Sequence, residues 1–158
     1  MNQIIGICLF RNEDLYADWV IKNIYEVCDH LILLDNNSSD NTAAICRKWT
    51  DKQKSIEFYS IKDPSESHSY INDYVNTNTW VFAVDGDEIY DSVRLKRFMQ
   101  SIARGAFDEY TQIMGNVLNC DKIDIHAKKA YGYLARPCRS LKTSQPFRPS
   151  RFFKLFVL

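Results

Sequence analysis

Residues 85–88, Asp-Gly-Asp-Glu, place three carboxylates within four positions, directly after the apolar run Trp-Val-Phe-Ala-Val at 80–84. Like charges repel at that spacing, and each must shed water to approach its neighbour. Such a cluster either solvates a surface turn or holds something positive. Residues i and i+2 of an extended segment point the same way, so Asp85 and Asp87 are expected to face one ion. Gly86 between them admits close approach of a ligand or of backbone. Two carboxylates with open coordination positions suit Mg²⁺ or Mn²⁺, which keep places for water and for phosphate. An acidic pair alone is a weak signal. Its place in the fold decides its weight.

The elements that must position this cluster alternate between strand and helix. Residues 3–10, QIIGICLF, form an apolar run of the kind buried on both faces of a sheet. A helix is expected next, with Asn12 as cap, Glu13 and Asp14 in its first turn, and Leu15, Tyr16, Trp19, Val20, Ile24 and Val27 as its apolar stripe. Residues 31–35, LILLD, read as a second strand, followed by the turn cluster NNSSDN, with Ser39 or Asp40 capping a helix from Thr42. SIEFYSI at 55–61 is a third strand, and Pro64 and Ser65 open a polar helix to about Val75. WVFAVD at 80–85 is the fourth strand; Ser92 then caps a helix that Gly105 closes. Beyond Gly105 the segments 110–119 and 130–137 alternate like edge or antiparallel strands, and RFFKLFVL at 151–158 reads as a strand. So apolar an end is expected to pair inside a sheet, as in a chain that is part of a longer domain.

This pattern predicts one α/β domain over 1–158: a mostly parallel central sheet with helices on both faces and antiparallel additions after residue 105. In such sheets ligands sit outside the carboxyl ends of the strands, near the reversal of strand order. The loops leaving strands one, two and four carry Arg11-Asn12-Glu13, Asp35 to Asp40, and Asp85 to Glu88. They are therefore expected to converge on one crevice, where idle carboxylates are hard to explain.

Several classes are disfavoured. Net charge is zero, without the basic surplus of a nucleic-acid binder, although residues 121–158 carry 9 Lys/Arg against 2 Asp/Glu and residues 1–120 carry 11 against 18. The basic end (Arg136, Arg139, Lys142, Arg148, Arg151, Lys154) packs against the acidic body, sits on the surface, meets an anionic lipid or polysaccharide acceptor, or folds over the acidic site as a lid. Five cysteines without a C-x-x-C pair point to reduced thiols and away from structural zinc. No apolar run reaches the ~18 residues of a membrane span, and the start lacks a signal-peptide pattern. The expectation is a cytoplasmic protein, with attachment to the inner face of a membrane as the alternative. Asp35 to Cys46 fails as a calcium loop, with Asp40 at position six and Cys46 at position twelve. His30, His68, and the Asp124/His126 pair have bland readings: a helix-end cation, a polar helix residue and a solvated loop.

Together, ICLFRNEDLYADWV, LILLDNNSSDNT and WVFAVDGDEIY resemble a family-2 glycosyltransferase of the GT-A fold, over roughly residues 4–90. Asp35, Ser38, Asp40 and Thr42 match the family's second motif. The resemblance implies a nucleoside-diphosphate-sugar donor and a metal-dependent, inverting transfer to an acceptor hydroxyl, with a glycan or lipid-linked acceptor. It implies that Asp35 contacts the base, that Phe10, Asn12 and Glu13 line the nucleoside, and that Asp85 and Gly86 approach the ribose or sugar. Asp87 would ligate Mn²⁺ or Mg²⁺, with Asp85 and Glu88 beside it, and Asn72 matches a common asparagine before strand four. No residue matches the family's catalytic-base pattern. A sugar nucleotidyltransferase is the rival enzyme class, but residues 10–19 lack its glycine-rich signature. A binding fragment without turnover is the non-catalytic rival.

Overall fold

The computed structural model describes residues 1–53, 55–115, 117–124, 129–135, 141–142 and 151–154. The chain runs β1 (Gln3–Phe10), α1 (Ala17–Ile24), a 3₁₀ turn (Tyr25–Val27), β2 (His30–Asn36), α2 (Thr42–Lys52), β3 (Ile56–Ile61), a 3₁₀ segment (Pro64–Tyr74), β4 (Thr79–Asp85) and α3 (Ser92–Ala103). β5 (Tyr110–Met114), β6 (Val117–Asp124), β7 (Lys129–Ala135), β8 (Leu141–Lys142) and β9 (Arg151–Lys154) follow.

The main sheet has the order β3-β2-β1-β4-β9-β5-β8. β3, β2, β1 and β4 are all parallel. β9 continues that sense beside β4, and β5 beside β9. The antiparallel additions are β8 on β5 and a separate β6–β7 hairpin. β5, expected as an edge or antiparallel strand, is parallel because β9, from the far end of the chain, lies between it and β4.

Strand residues alternate between two apolar layers, as a pleated sheet requires. Ile4, Cys8 and Phe10, with Leu31, Leu33, Trp80 and Phe82, pack against Val20 and Ile24 of α1, Cys46 and Trp49 of α2, and Leu95 and Met99 of α3. Ile5, Ile7, Ile32, Leu34 and Val81 face the other way, onto Ile71, Tyr70 and Tyr74 of the 3₁₀ segment. Coverage is thus two-sided, but α-helical on one side only. The first two crossovers run from β1 through β2 to β3, and the third returns past β1 to β4, so strand order reverses between β1 and β4.

Some local expectations change. α1 starts at Ala17 and buries Ala17, Val20, Ile21 and Ile24. Leu15, Tyr16 and Trp19, expected in its apolar stripe, are exposed. The sequence offers two apolar stripes, and only docking onto the sheet selects one. Asn12 does not cap α1; it sits at φ 57°, a left-handed conformation asparagine tolerates. The expected helix at 64–75 is a 3₁₀ segment opened by a capping box between Asp63 and Glu66. Asp91, not Ser92, caps α3, accepting from the Arg94 N–H at 2.8 Å. His30 begins β2 rather than ending a helix, 3.6 Å from Glu57. Among the basic residues of the chain's end, Lys142 belongs to β8, and Arg151 and Lys154 to β9. Arg136, Arg139 and Arg148, and with them the expected lid, lie outside the described residues, as does His126. No helix among the described residues is long and apolar enough to cross a membrane.

Gly105 does close α3. At φ +86°, its N–H donates to Ile102 O and the next N–H, of Ala106, to Ser101 O, the paired bonds of a Schellman motif. A Cβ here would also meet Asp108 Oδ2 at 2.9 Å. Gly105→Ala is therefore expected to cost about 1–2 kcal/mol. The measurement is a lower urea midpoint with an unchanged slope.

Candidate functional site

Register brings the acidic loops together. β1 lies between β2 and β4, with Phe10 opposite Asp35 and Leu9 opposite Asp85. Two strand spacings separate Asp35 from Asp85, a backbone distance of about 10 Å. The pair therefore flanks the end of β1, at the reversal point where open parallel sheets bind ligands.

The loops after β1 and β2 are stitched by side chains. The Asn12 N–H donates to Ser38 Oγ at 2.9 Å, and the Ser39 N–H donates to Asn12 Oδ1 at 2.8 Å. The Glu13 N–H donates to Thr42 Oγ1 at 2.8 Å, and that hydroxyl in turn donates to Asp40. Asp40, not Ser39, serves the start of α2, accepting from the Thr42 N–H at 2.9 Å. Partial desolvation opposes its ionisation, but hydrogen bonds from Thr42 and then Asp14 hold the Asp40 carboxyl below its usual value. Its stabilising contribution is therefore present above the ordinary Asp range and lost as pH falls through the lowered value.

Asp35 stands apart from its neighbours. It is 4% exposed, and one oxygen accepts from the Ser38 N–H at 3.3 Å. The other, Oδ1, is buried with no hydrogen-bond partner. A buried acceptor left unmade costs about 1–3 kcal/mol. A ligand N–H reaching Oδ1 would recover that cost.

Residues 85–88 form a turn rather than an extended segment: the Glu88 N–H donates to Asp85 O at 3.0 Å. The positions of Asp85 and Asp87 are thus set by turn geometry, not by strand alternation as the sequence suggested. Both are exposed. Glu88 turns inward, its Oε2 accepting from the Asp85 N–H at 3.1 Å and the Tyr90 hydroxyl at 2.9 Å. Tyr90 is buried against Phe82, and Asn23 of α1 brackets its backbone, donating to Tyr90 O at 3.0 Å and accepting from its N–H at 2.8 Å. Burial and then the Glu88 charge push the Tyr90 phenol well above its usual value, so it donates. Sequence reasoning missed both Asn23 and Tyr90. The Tyr two residues past the acidic run is the only local signal, and the partnership spans 67 positions.

Glu13 leans over this turn. Desolvation, then the charges of Asp87 and Asp40, raise its carboxyl above its ordinary value. Carboxylate oxygens are hard ligands of the kind Mg²⁺ and Mn²⁺ take. Among the described residues no three His, Cys, Asp or Glu side chains converge into a metal cage. A cation here would complete its shell from water and ligand oxygens. Phe10 is fully buried, its ring beneath Gly86, so it shapes the site from below. Asn72 is exposed near the end of the 3₁₀ segment that leads to the start of β4.

Gly86 is buried, and a Cβ on it would meet Phe10 Cδ1 at 2.6 Å, Glu13 Cγ at 3.0 Å and Leu9 O at 3.1 Å. The turn therefore lies directly on the end of β1. Gly86→Ala is expected to destabilise the domain by about 1–3 kcal/mol through overpacking. A thermal melt of the variant would show that loss. No model of a known protein family matches this chain and no curated protein matches it, so a function must be argued from the geometry of this edge.

Proposed function

We propose that the protein is a glycosyltransferase of the GT-A type, moving a sugar from a nucleoside-diphosphate-sugar donor to an acceptor hydroxyl. The observation that carries this reading is the unpartnered Oδ1 of buried Asp35, at the same sheet edge as the acidic turn 85–88. A carboxylate only accepts hydrogen bonds, so it favours a base edge with a ring N–H, as in uracil, thymine and guanine, over one whose ring nitrogens only accept, as in adenine. Asn12 and Glu13 hold the loop that would flank the nucleoside. Asp85 would approach the ribose or sugar, and Asp87 with Asp85 would hold Mn²⁺ or Mg²⁺ against the diphosphate. The cation supplies positive charge where the departing nucleoside diphosphate gains negative charge. Glu88, engaged by Asp85 and Tyr90, stiffens the turn that carries both carboxylates.

The residues act mainly by positioning and charge. The acceptor hydroxyl attacks the anomeric carbon opposite the diphosphate, a base takes the hydroxyl proton, and the configuration inverts. Calorimetric titration with uridine, guanosine and adenosine diphosphates, with Mn²⁺ and with chelator, tests the donor site. Saturable, metal-dependent binding of a base that bears an imide-type N–H is expected. Equal binding of all three, or none, would overturn the reading. Release of free sugar from a matching nucleotide-sugar separates a transferase from a module that only binds.

A further inference from the structure

A groove of about 720 Å³ lies between α1, the 3₁₀ turn behind it and α3. Trp19, Ile89 and Val93 line it and are 64%, 50% and 61% exposed. Lys22, Lys96 and Arg97 stand around the same groove. The single acid there, Glu26, accepts the hydroxyl of Tyr25. α3 holds three basic residues and no acidic one between Ser92 and Ala103, in a stretch of chain that is otherwise acid-rich.

We propose that this face docks the protein on an anionic lipid bilayer. A tryptophan and branched aliphatic side chains among long basic ones is the composition that settles at the headgroup boundary. Trp19, Ile89 and Val93 enter that boundary, while Lys22, Lys96 and Arg97 meet lipid phosphates. Charge sets the orientation. Around the groove three cations face one acid that is already hydrogen-bonded, so an anionic surface attracts this face. Ile89 adjoins Glu88, so docking brings the acidic turn close to the membrane surface. The proposal stands whether or not that turn binds nucleotide.

The test uses vesicles of phosphatidylcholine with and without phosphatidylglycerol. Trp49 and Trp80 are buried, so Trp19 is the tryptophan whose emission reports the contact. Co-sedimentation and a blue shift are expected with phosphatidylglycerol only, both weakening as salt is raised. Lys96→Glu with Arg97→Glu, two exposed positions, should lower partitioning roughly tenfold or more. Trp19→Ala should remove the blue shift. Three results would each overturn the proposal: no co-sedimentation, partitioning unchanged by the double charge reversal, or self-association through this face that Trp19→Ala abolishes.

Discussion

Asp87→Ala is expected to abolish Mn²⁺-dependent nucleoside diphosphate binding while leaving the fold intact. Asp87 is exposed at the tip of the 85–88 turn, and its charge helps to raise the Glu13 carboxyl. Removing it deletes no buried contact, so stability should hold or rise slightly as repulsion eases. Binding is another matter. Changing residues that merely orient a metal's ligands costs 10- to 100-fold in affinity, so losing a ligand should cost more than about a hundredfold. Titration with Mn²⁺ measures the loss, and a melt of the free protein checks the fold. Binding of parental strength in the variant would remove Asp87 from the site. Glu88 predicts the opposite pattern, because it braces the turn through Asp85 and Tyr90, so its loss should register in stability as well as binding.

Asp35→Asn should separate stability from binding in sign. The variant keeps an acceptor for the Ser38 N–H and places an amide N–H₂ where Oδ1 was unpartnered. The free protein then buries an unmatched neutral amide in place of an unmatched charged oxygen, which costs less, so its stability should be equal or greater. A base edge bearing an N–H, however, would meet a donor instead of an acceptor. The expected loss is about 1–3 kcal/mol, or roughly 5- to 150-fold in Kd. A simple turn residue would show neither effect. Unchanged discrimination among nucleoside diphosphates would reduce Asp35 to that role and remove the main support for a base pocket.

The strands and their ends were legible in the sequence because apolar runs bounded by turn residues carry local information. QIIGICLF, LILLD, SIEFYSI and WVFAVD coincide closely with β1 to β4. The alternation also implied a parallel sheet, and so a common edge for Asp35 and Asp85. Which stripe of α1 is buried was not legible. Leu15, Tyr16 and Trp19 could bury as much surface as Val20, Ile21 and Ile24, and hydrophobicity is a scalar that does not say which neighbour will cover it. The sheet decided, and Trp19 was left facing outward. The same holds for Glu88, whose partner Tyr90 is bracketed by Asn23 from a distant helix. Local pattern determines where carboxylates stand along the chain. Only closure of the sheet, which brings the ends of β1, β2 and β4 side by side, decided which stay solvated and which, like Asp35, are buried with a lone pair still to satisfy.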